Sequence, residues 1–308
     1  MTGTKVKLAA IQAEPVWSDL QGSVEKTCQL IQDAAAAGAN VIAFPETWIP
    51  GYPRYIWRES VRESASKLEE VLANSMRRHS PEMRRIREAT KAAGACVVLG
   101  YSERDGGSIY MANVFIGPDG TQLHHRRKIK PTSIERSVWG EGQADSLQVV
   151  TSTPYGNIGA LNCWENYQPL LRYAEYSQGV DIHVACWPTL SDGDAGSNKG
   201  YHVKGSANLK LCQVIAMEGA TFVMVASSIY RGPGGELEGP GFSTIFGPDG
   251  SELTERLLIN QEGFVMAEID LRDRDAAHRI IDVVGHYSRP DLLSLNIKKE
   301  PAKHVHYV

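Results

Sequence analysis

The sequence predicts an α/β protein built as a four-layer α-β-β-α sandwich with pseudo-two-fold internal symmetry. Strand and helix segments follow the same order in two halves of the chain, and each half contains a Gly-Pro-Asp-Gly turn, at residues 117–120 and 247–250. The chain has 308 residues, of which 42% are hydrophobic, so it can bury a large core. Each half would carry its helices on one face of a sheet. We therefore expect the two bare sheet faces to pack on each other.

The first half contains three strands, two helices and a hairpin. Residues 5–12 alternate as a strand, and the amphipathic helix that follows ends before Gly38. Ser80 as N-cap and Pro81 at the first helical position begin a second helix, which Gly94 closes. In chain order, the predicted elements are a strand at 5–12, a helix at 22–37, a buried strand at 41–46, a helix at 81–93, a strand at 96–101 and a hairpin at 113–124.

The second half repeats this order, with Gly179 closing its first helix and Pro188 following its second strand. Its predicted elements are a strand at 158–163, a helix at 168–178, a strand at 181–187, a helix at 206–218, a strand at 221–227 and a hairpin at 242–253. Turn residues and an apolar end follow Asp282. We therefore divide the chain into a domain at 1–285 and a C-terminal tail at 286–308.

Composition and charge exclude several classes of function. The chain carries 32 Lys and Arg against 36 Asp and Glu, a net charge of -4, and its one basic run at 124–130 is short, so we expect no nucleic-acid partner. No stretch approaches the roughly 18 apolar residues that span a bilayer, so we expect no membrane partner. Five scattered cysteines without a Cys-x-x-Cys pair argue against disulfides and favour a reducing cytoplasm.

Common cofactor and hydrolase signatures are missing. The sequence has no P-loop, no Gly-x-Gly-x-x-Gly, no Gly-x-Ser-x-Gly and no His-Glu-x-x-His. His183 and Cys186 lie three residues apart on a predicted strand and would face opposite sides of the sheet. We therefore expect neither a metal site nor a cofactor.

Candidate reactive residues follow the ends of predicted strands, where α/β sheets gather their chemistry. Glu46 ends the apolar strand at 41–46, where burial would raise the pKa of its carboxyl; the alternative is a solvated loop glutamate. Cys163 ends another strand just before a helix, although an arbitrary free cysteine usually belongs to the core. Lys128 and Lys130 precede a proline, and each could equally be an exposed surface lysine.

Three segments that contain these residues resemble the signature blocks of the nitrilase branch of the carbon-nitrogen hydrolase superfamily. They are Phe-Pro-Glu-Thr-Trp-Ile-Pro-Gly-Tyr-Pro at 44–53, His-Arg-Arg-Lys-Ile-Lys-Pro-Thr at 125–132 with the residues up to 142, and Leu-Asn-Cys-Trp-Glu-Asn-Tyr-Gln-Pro at 161–169. The resemblance extends from about residue 5 to about residue 295. It implies a catalytic set of Glu46, Lys128 and Cys163 with a second glutamate, Glu135, and the Arg-Lys-x-x-Pro pattern selects Lys128 over Lys130.

The resemblance also implies a reaction and an assembly. The expected reaction is hydrolysis of an organic nitrile to the carboxylic acid and ammonia through a cysteine thioimidate and thioester. The expected partners are the small-molecule nitrile and further copies of the chain, in a homodimer or larger oligomer. The resemblance implies aromatic pocket residues at Tyr52, Trp139 and Trp164. With Trp187, they suggest an apolar or aromatic pocket and are the predicted substrate-binding residues. The alternatives are an amidase or a cyanide hydratase or dihydratase with the same residues, and a non-catalytic scaffold that retains the fold.

Overall fold

The fold consists of two β-sheets that pack face to face between helices. A computed structural model describes residues 5–189, 200–232, 234–302 and 305. The strands are β1 (Lys5–Ala13), β2 (Val41–Ala43), β3 (Cys96–Asp105), β4 (Ser108–Ile116), β5 (Gln122–Arg127), β6 (Val150–Thr153), β7 (Gly156–Asn162), β8 (Ile182–Trp187), β9 (Phe222–Ser228), β10 (Tyr230–Arg231), β11 (Leu237–Gly239), β12 (Thr244–Phe246) and β13 (Gly263–Asp270). The α-helices are α1 (Leu20–Ala36), α2 (Ala65–Asn74), α3 (Pro81–Ala93), α4 (Pro169–Ser177), α5 (Gly205–Gly219) and α6 (Asp273–His278).

The two sheets have matching strand orders. The first runs β5-β4-β3-β2-β1-β13 and the second runs β12-β9-β8-β7-β6; they join where the last two residues of β1 pair with the last two of β9. In each sheet three parallel strands, β1-β2-β3 or β7-β8-β9, are flanked on both sides by antiparallel neighbours. This correspondence confirms the predicted pseudo-two-fold sandwich.

Three buried apolar layers fill the spaces between the four structural layers. On β1, Leu8 and Ala10 belong to the inner layer between the sheets, whereas Ala9 and Ile11 face α1 and α3. The third layer lies between the second sheet and the helices α4 and α5. Alternate strand residues therefore serve different layers, which explains why the strands are apolar on both faces.

Most predicted elements are present, with shifted ends. Helix α3 has the predicted caps: Ser80 Oγ accepts from Met83 N at 3.2 Å, and Gly94 adopts a left-handed φ of 66°. Helix α1 begins two residues earlier than predicted because Asp19 is its N-cap. Strand β2 ends at Ala43 and not at residue 46, since Pro45 has no N–H for a ladder.

Strand β13, like helix α2 and strand β6, was not predicted from the sequence. It pairs with β1 over eight residue pairs and places Val265 and Ile269 in the inner layer. The hairpin predicted at 242–253 is only partly formed, as β12 and one bridge between Phe246 and Glu252. Residues 283–302 form neither helix nor strand.

Candidate active site

Three of the predicted site residues lie where strands of the two sheets end. Glu46 lies three residues beyond β2 and Lys128 directly follows β5, both in the first sheet, while Cys163 directly follows β7 in the second. The backbone on both sides of the lysine is fixed, because Lys128 N donates to Met111 O at 2.7 Å and Lys128 O accepts from Gly142 N at 2.8 Å. The strand ends thus bring together residues that are far apart in the sequence.

Lys128 lies between two carboxylates. Its Nζ donates to Glu46 Oε1 and to Glu135 Oε2, both at 2.9 Å, and its side chain is 0% exposed. Lys130, by contrast, is 58% exposed and pairs with Glu141 at the surface. The structure therefore buries Lys128 and leaves Lys130 at the surface, and the catalytic role of Lys128 stays a prediction.

Glu135 is held from three sides. It lies in a 3-10 helix, Ser133–Ser137, and its Oε2 accepts from Thr132 N at 2.6 Å as well as from the lysine. Its Oε1 accepts from the hydroxyl of Tyr52 at 2.8 Å. The Tyr52 ring stacks on Trp139 with centroids 5.8 Å apart. These two predicted substrate-binding aromatics therefore support the second glutamate, and their contact with substrate stays a prediction.

Cys163 is at a sharp strand-to-helix turn. Its φ is +48°, a left-handed conformation that costs a non-glycine residue about 1–2 kcal/mol. A 3-10 helix, Cys163–Tyr167, begins at this residue. Burial raises the pKa of the Cys163 thiol, and the backbone N–H of Trp164 opposes this rise. The turn thus places the thiol at the end of the strand, next to the first backbone N–H groups of the 3-10 helix.

Burial and charge set the proton affinities of the cluster. Burial raises the pKa of the Glu46 carboxyl to about 8, reinforced by the negative charge of Glu135 and opposed by Lys128. Burial also raises the pKa of the Cys163 thiol well above its ordinary value, with Glu46 adding to the effect and Lys128 opposing it. Burial alone would lower the pKa of Lys128, but the two carboxylates outweigh it and raise this pKa. The thiol is thus protonated near neutral pH and sits beside a carboxyl that can exchange a proton there.

A buried ion pair ties the lysine loop to the cysteine turn. Arg126 donates to both oxygens of Glu165, at 2.8 and 2.7 Å. The same carboxylate accepts from Ile129 N, directly after the buried lysine, at 2.8 Å and from Asn162 N, directly before the cysteine, at 2.9 Å. One carboxylate therefore links the two sheets at the site.

The role of this pair was not predicted from the sequence, because Arg126 lies in a basic run typical of a solvated surface. The two-residue period of a strand held the missing signal: a lysine at 128 that faces inward puts residue 126 on the same face.

The remaining predicted aromatics lie on the side of the second sheet. Trp164 is partly buried, with its ring near those of Tyr167 and His202. Trp187 is 1% exposed and belongs to the apolar layer between the second sheet and its helices. Cys163 and Trp164 pack against this layer. Substrate contact by either tryptophan stays a prediction.

The structure gives two further findings for the residues that it describes. Among them, no group of three or more His, Cys, Asp and Glu side chains could hold a metal ion. No helix in the described ranges is long and apolar enough to cross a membrane.

Comparisons with known proteins identify the family. The carbon-nitrogen hydrolase family profile matches residues 7–279. A nitrilase of Talaromyces marneffei is 52% identical, with 97% of each chain covered. A cyanide hydratase of Armillaria gallica is 45% identical over 94% of this chain and 85% of that protein. The crystal structure of the C. elegans NitFhit protein shares the fold, with a TM-score of 0.75 at 17% identity over 99% of this chain and 70% of that one.

The family match covers most of the chain, and the relatives match it over nearly their whole lengths. The fold agrees with this match. The chain belongs to the nitrilase branch of the carbon-nitrogen hydrolase superfamily.

Proposed function

We propose that this protein hydrolyses an organic nitrile to the carboxylic acid and ammonia, with Cys163 as nucleophile, Glu46 as general base and acid, and Lys128 as electrostatic stabiliser. The observation that carries the proposal is the buried Glu46–Lys128–Glu135 network beside a thiol at a strand end. Among the described residues, no donor reaches Glu46 Oε2. That oxygen supplies the acceptor that the chemistry needs.

The first step forms the covalent bond. Glu46 takes the Cys163 thiol proton, the sulfur adds to the nitrile carbon, and the nitrile nitrogen takes a proton from Glu46 to give a thioimidate. Negative charge develops on nitrogen during the addition. Lys128 and the backbone N–H of Trp164 supply donors for this charge, each typically worth about 3 kcal/mol.

Two waters complete the cycle. Glu46 takes a proton from the first water, whose oxygen adds to the thioimidate carbon, and passes that proton to nitrogen to give a tetrahedral intermediate with one hydroxyl and one amino group. Glu46 then transfers the hydroxyl proton to nitrogen, the carbon–nitrogen bond breaks, and ammonia leaves. The remaining thioester is attacked by the second water, the carbon–sulfur bond breaks, and the thiol of Cys163 is restored. The balance is one nitrile and two waters to one acid and one ammonia.

Product analysis tests the proposal. Purified protein is incubated with aliphatic, aromatic and arylacetic nitriles, with cyanide and with the corresponding amides, and ammonia, acid and amide are quantified. We expect ammonia and acid from at least one nitrile. Turnover of amides alone would make the protein an amidase, formamide from cyanide alone would make it a cyanide hydratase, and no turnover of any compound would favour a non-catalytic scaffold.

We also propose that the protein works in the cytoplasm as a homodimer or larger oligomer. Five free cysteines support a reducing compartment. Exposed apolar side chains on the outer helices support self-association, among them Leu170 of α4 and Met217 of α5. Light scattering at micromolar concentration tests the assembly: a single species near 33.8 kDa, the mass of one chain, would refute it.

A further inference from the structure

A buried chain of polar side chains leads from helix α4 to the backbone of Cys163. Glu175 of α4 lies with both carboxylate oxygens 2.9 Å from His183 Nδ1. His183 Nε2 is 2.9 Å from Asn166 Oδ1, and Asn166 Nδ2 donates to the carbonyl of Cys163 at 2.8 Å. Glu175, His183 and Asn166 are each 0% exposed.

Two backbone carbonyls, of Leu161 and Cys163, fix which atom donates in each hydrogen bond of this series. Asn166 Nδ2 also lies 3.4 Å from Leu161 O, so the amide nitrogen faces two carbonyls and the amide oxygen must face the histidine. His183 Nε2 therefore donates to Asn166 Oδ1. Its other nitrogen, Nδ1, faces only the carboxylate of Glu175, so a second proton lies between Nδ1 and that carboxylate and forms the hydrogen bond that orients the ring.

The strand next to His183 leaves room for this carboxylate. Gly159 of β7 pairs with His183 of β8. A Cβ atom on Gly159 would lie 2.2 Å from Glu175 Oε1, closer than any real contact. Burial of a carboxylate and an imidazole in an apolar layer is unfavourable unless each polar atom has a partner, and here the neighbouring residues supply both the partners and the space.

The series of hydrogen bonds from Glu175 through His183 and Asn166 ends at the backbone of Cys163, the residue of the turn with left-handed backbone angles. Asn166 joins the carbonyls of Leu161 and Cys163, which lie on either side of Asn162. These two bonds oppose relaxation of the left-handed Cys163 backbone, whose φ is +48°. If they are lost, the backbone can relax and carry the sulfur away from Lys128 and the Trp164 N–H.

We propose that His183, oriented by Glu175, is a positioning residue that holds Asn166 and through it the nucleophile turn of Cys163. The inference rests on the proposed function for the role of the thiol, but the hydrogen-bond chain can be tested without turnover. The structure assigns the same task to Asn166, which contacts the Cys163 backbone directly. Neither side chain is required to touch substrate.

The test compares three variants. His183→Leu removes the donor, Asn166→Ser removes the bonds to both carbonyls, and His183→Gln keeps an N–H that can reach Asn166 Oδ1. For each, kcat, KM and the rate of carbamidomethylation of the Cys163 peptide by iodoacetamide at neutral pH are measured. We expect kcat to fall about 10- to 100-fold in the first two variants, because a displacement of about 1 Å can cost that much, with KM changed less than about threefold. We expect alkylation to slow in parallel and His183→Gln to restore most of both rates.

Ile215→Val is the matched control for lost stability. Ile215 is buried in the same apolar layer, and the change costs about 0.5–1.5 kcal/mol without touching the polar chain. It should leave kcat and the alkylation rate near wild type. If His183→Leu does not fold, the proposal is tested by Asn166→Ser, which removes the contact with the Cys163 backbone that His183 is proposed to hold in place.

The proposal is overturned if a folded His183→Leu or Asn166→Ser protein keeps both wild-type rates, or if Ile215→Val loses as much as they do. It is also overturned if His183→Gln fares no better than His183→Leu. A wild-type protein whose Cys163 alkylates normally but turns over no nitrile would refute the proposed function alone. The alkylation rates would still test the hydrogen-bond chain.

Discussion

Replacement of Glu165 by glutamine should both destabilise the protein and slow it. The carboxylate accepts four hydrogen bonds, two on each oxygen. A glutamine amide has one oxygen, so whichever way it turns, two of the four donors face an NH₂ group. Each buried donor without a partner costs about 1–3 kcal/mol, and Arg126 is left as a buried charge without its counter-ion. Together these effects predict a loss of about 3–5 kcal/mol in the free energy of unfolding.

The activity should fall for a separate reason. Two of the lost bonds hold Ile129 N and Asn162 N, which adjoin Lys128 and Cys163. We expect kcat to fall at least about tenfold, since small displacements of reacting groups are costly. Urea unfolding measures the stability and ammonia release measures kcat.

Glu141→Gln is the control, because it breaks an exposed ion pair with Lys130 in the same loop and should cost less than about 1 kcal/mol. In Arg126→Met combined with Glu165→Gln the unpaired charge is gone, so the double variant should lose less stability than the two single losses together. A Glu165→Gln protein within 1 kcal/mol of wild type, with unchanged kcat, would refute the role of this pair.

Three further outcomes follow from the structure. Gly100→Ala should lower both stability and ammonia release, because its Cβ would lie 2.2 Å from Pro45 O, whereas Gly107→Ala, with open space around it, should not. Burial would raise the pKa of Glu103, but hydrogen bonds from its histidine and arginine partners outweigh this and lower it from 4.5 to about 2. Glu103→Gln should therefore lower the free energy of unfolding, measured in urea, by up to about 3 kcal/mol at neutral pH. This difference from wild type should be fully present above pH 4.5 and should disappear as the pH falls through about 2. In Glu135→Gln, Lys128 is held less firmly, so the product should shift from acid towards amide, as quantified by chromatography. An unchanged acid-to-amide ratio in an active variant would leave Glu135 a structural ion-pair residue.

Local signals in the sequence predict most of the fold. The caps at Ser80 and Gly94 define α3 within the chain segment itself, so both ends are correct. Strand β13 carries no comparable signal: most of its residues are only partly buried, and its place is fixed by pairing with β1, more than 240 residues away in the sequence. The prediction of a hairpin at 242–253 was only partly correct, because the turn at 247–250 forms but a single bridge joins the residues on either side of it.

For the site, motif resemblance was more informative than burial preferences. Considered singly, Glu46 and Lys128 favour exposed positions, and only their mutual pairing makes burial of both acceptable. The polar chain of His183 and Glu175 could not be predicted, because it depends on packing between a helix and two strands. His183 and Cys186 lie on opposite faces of β8, as their spacing predicts, but that spacing gives no sign of the partners of the histidine on helix α4.

The central claim is that Cys163 forms the covalent intermediate, and acid-quenched mass spectrometry during turnover of a slow nitrile tests it most directly. Cys212→Ala is the matched control, since Cys212 is a second buried thiol on the same side of the molecule. We predict an added acyl or imidoyl group on the peptide that contains Cys163 in wild type and in Cys212→Ala. We predict no adduct and no ammonia from a folded Cys163→Ala protein. Ammonia release by Cys163→Ala at the wild-type rate, or an adduct on any other residue, would contradict the account.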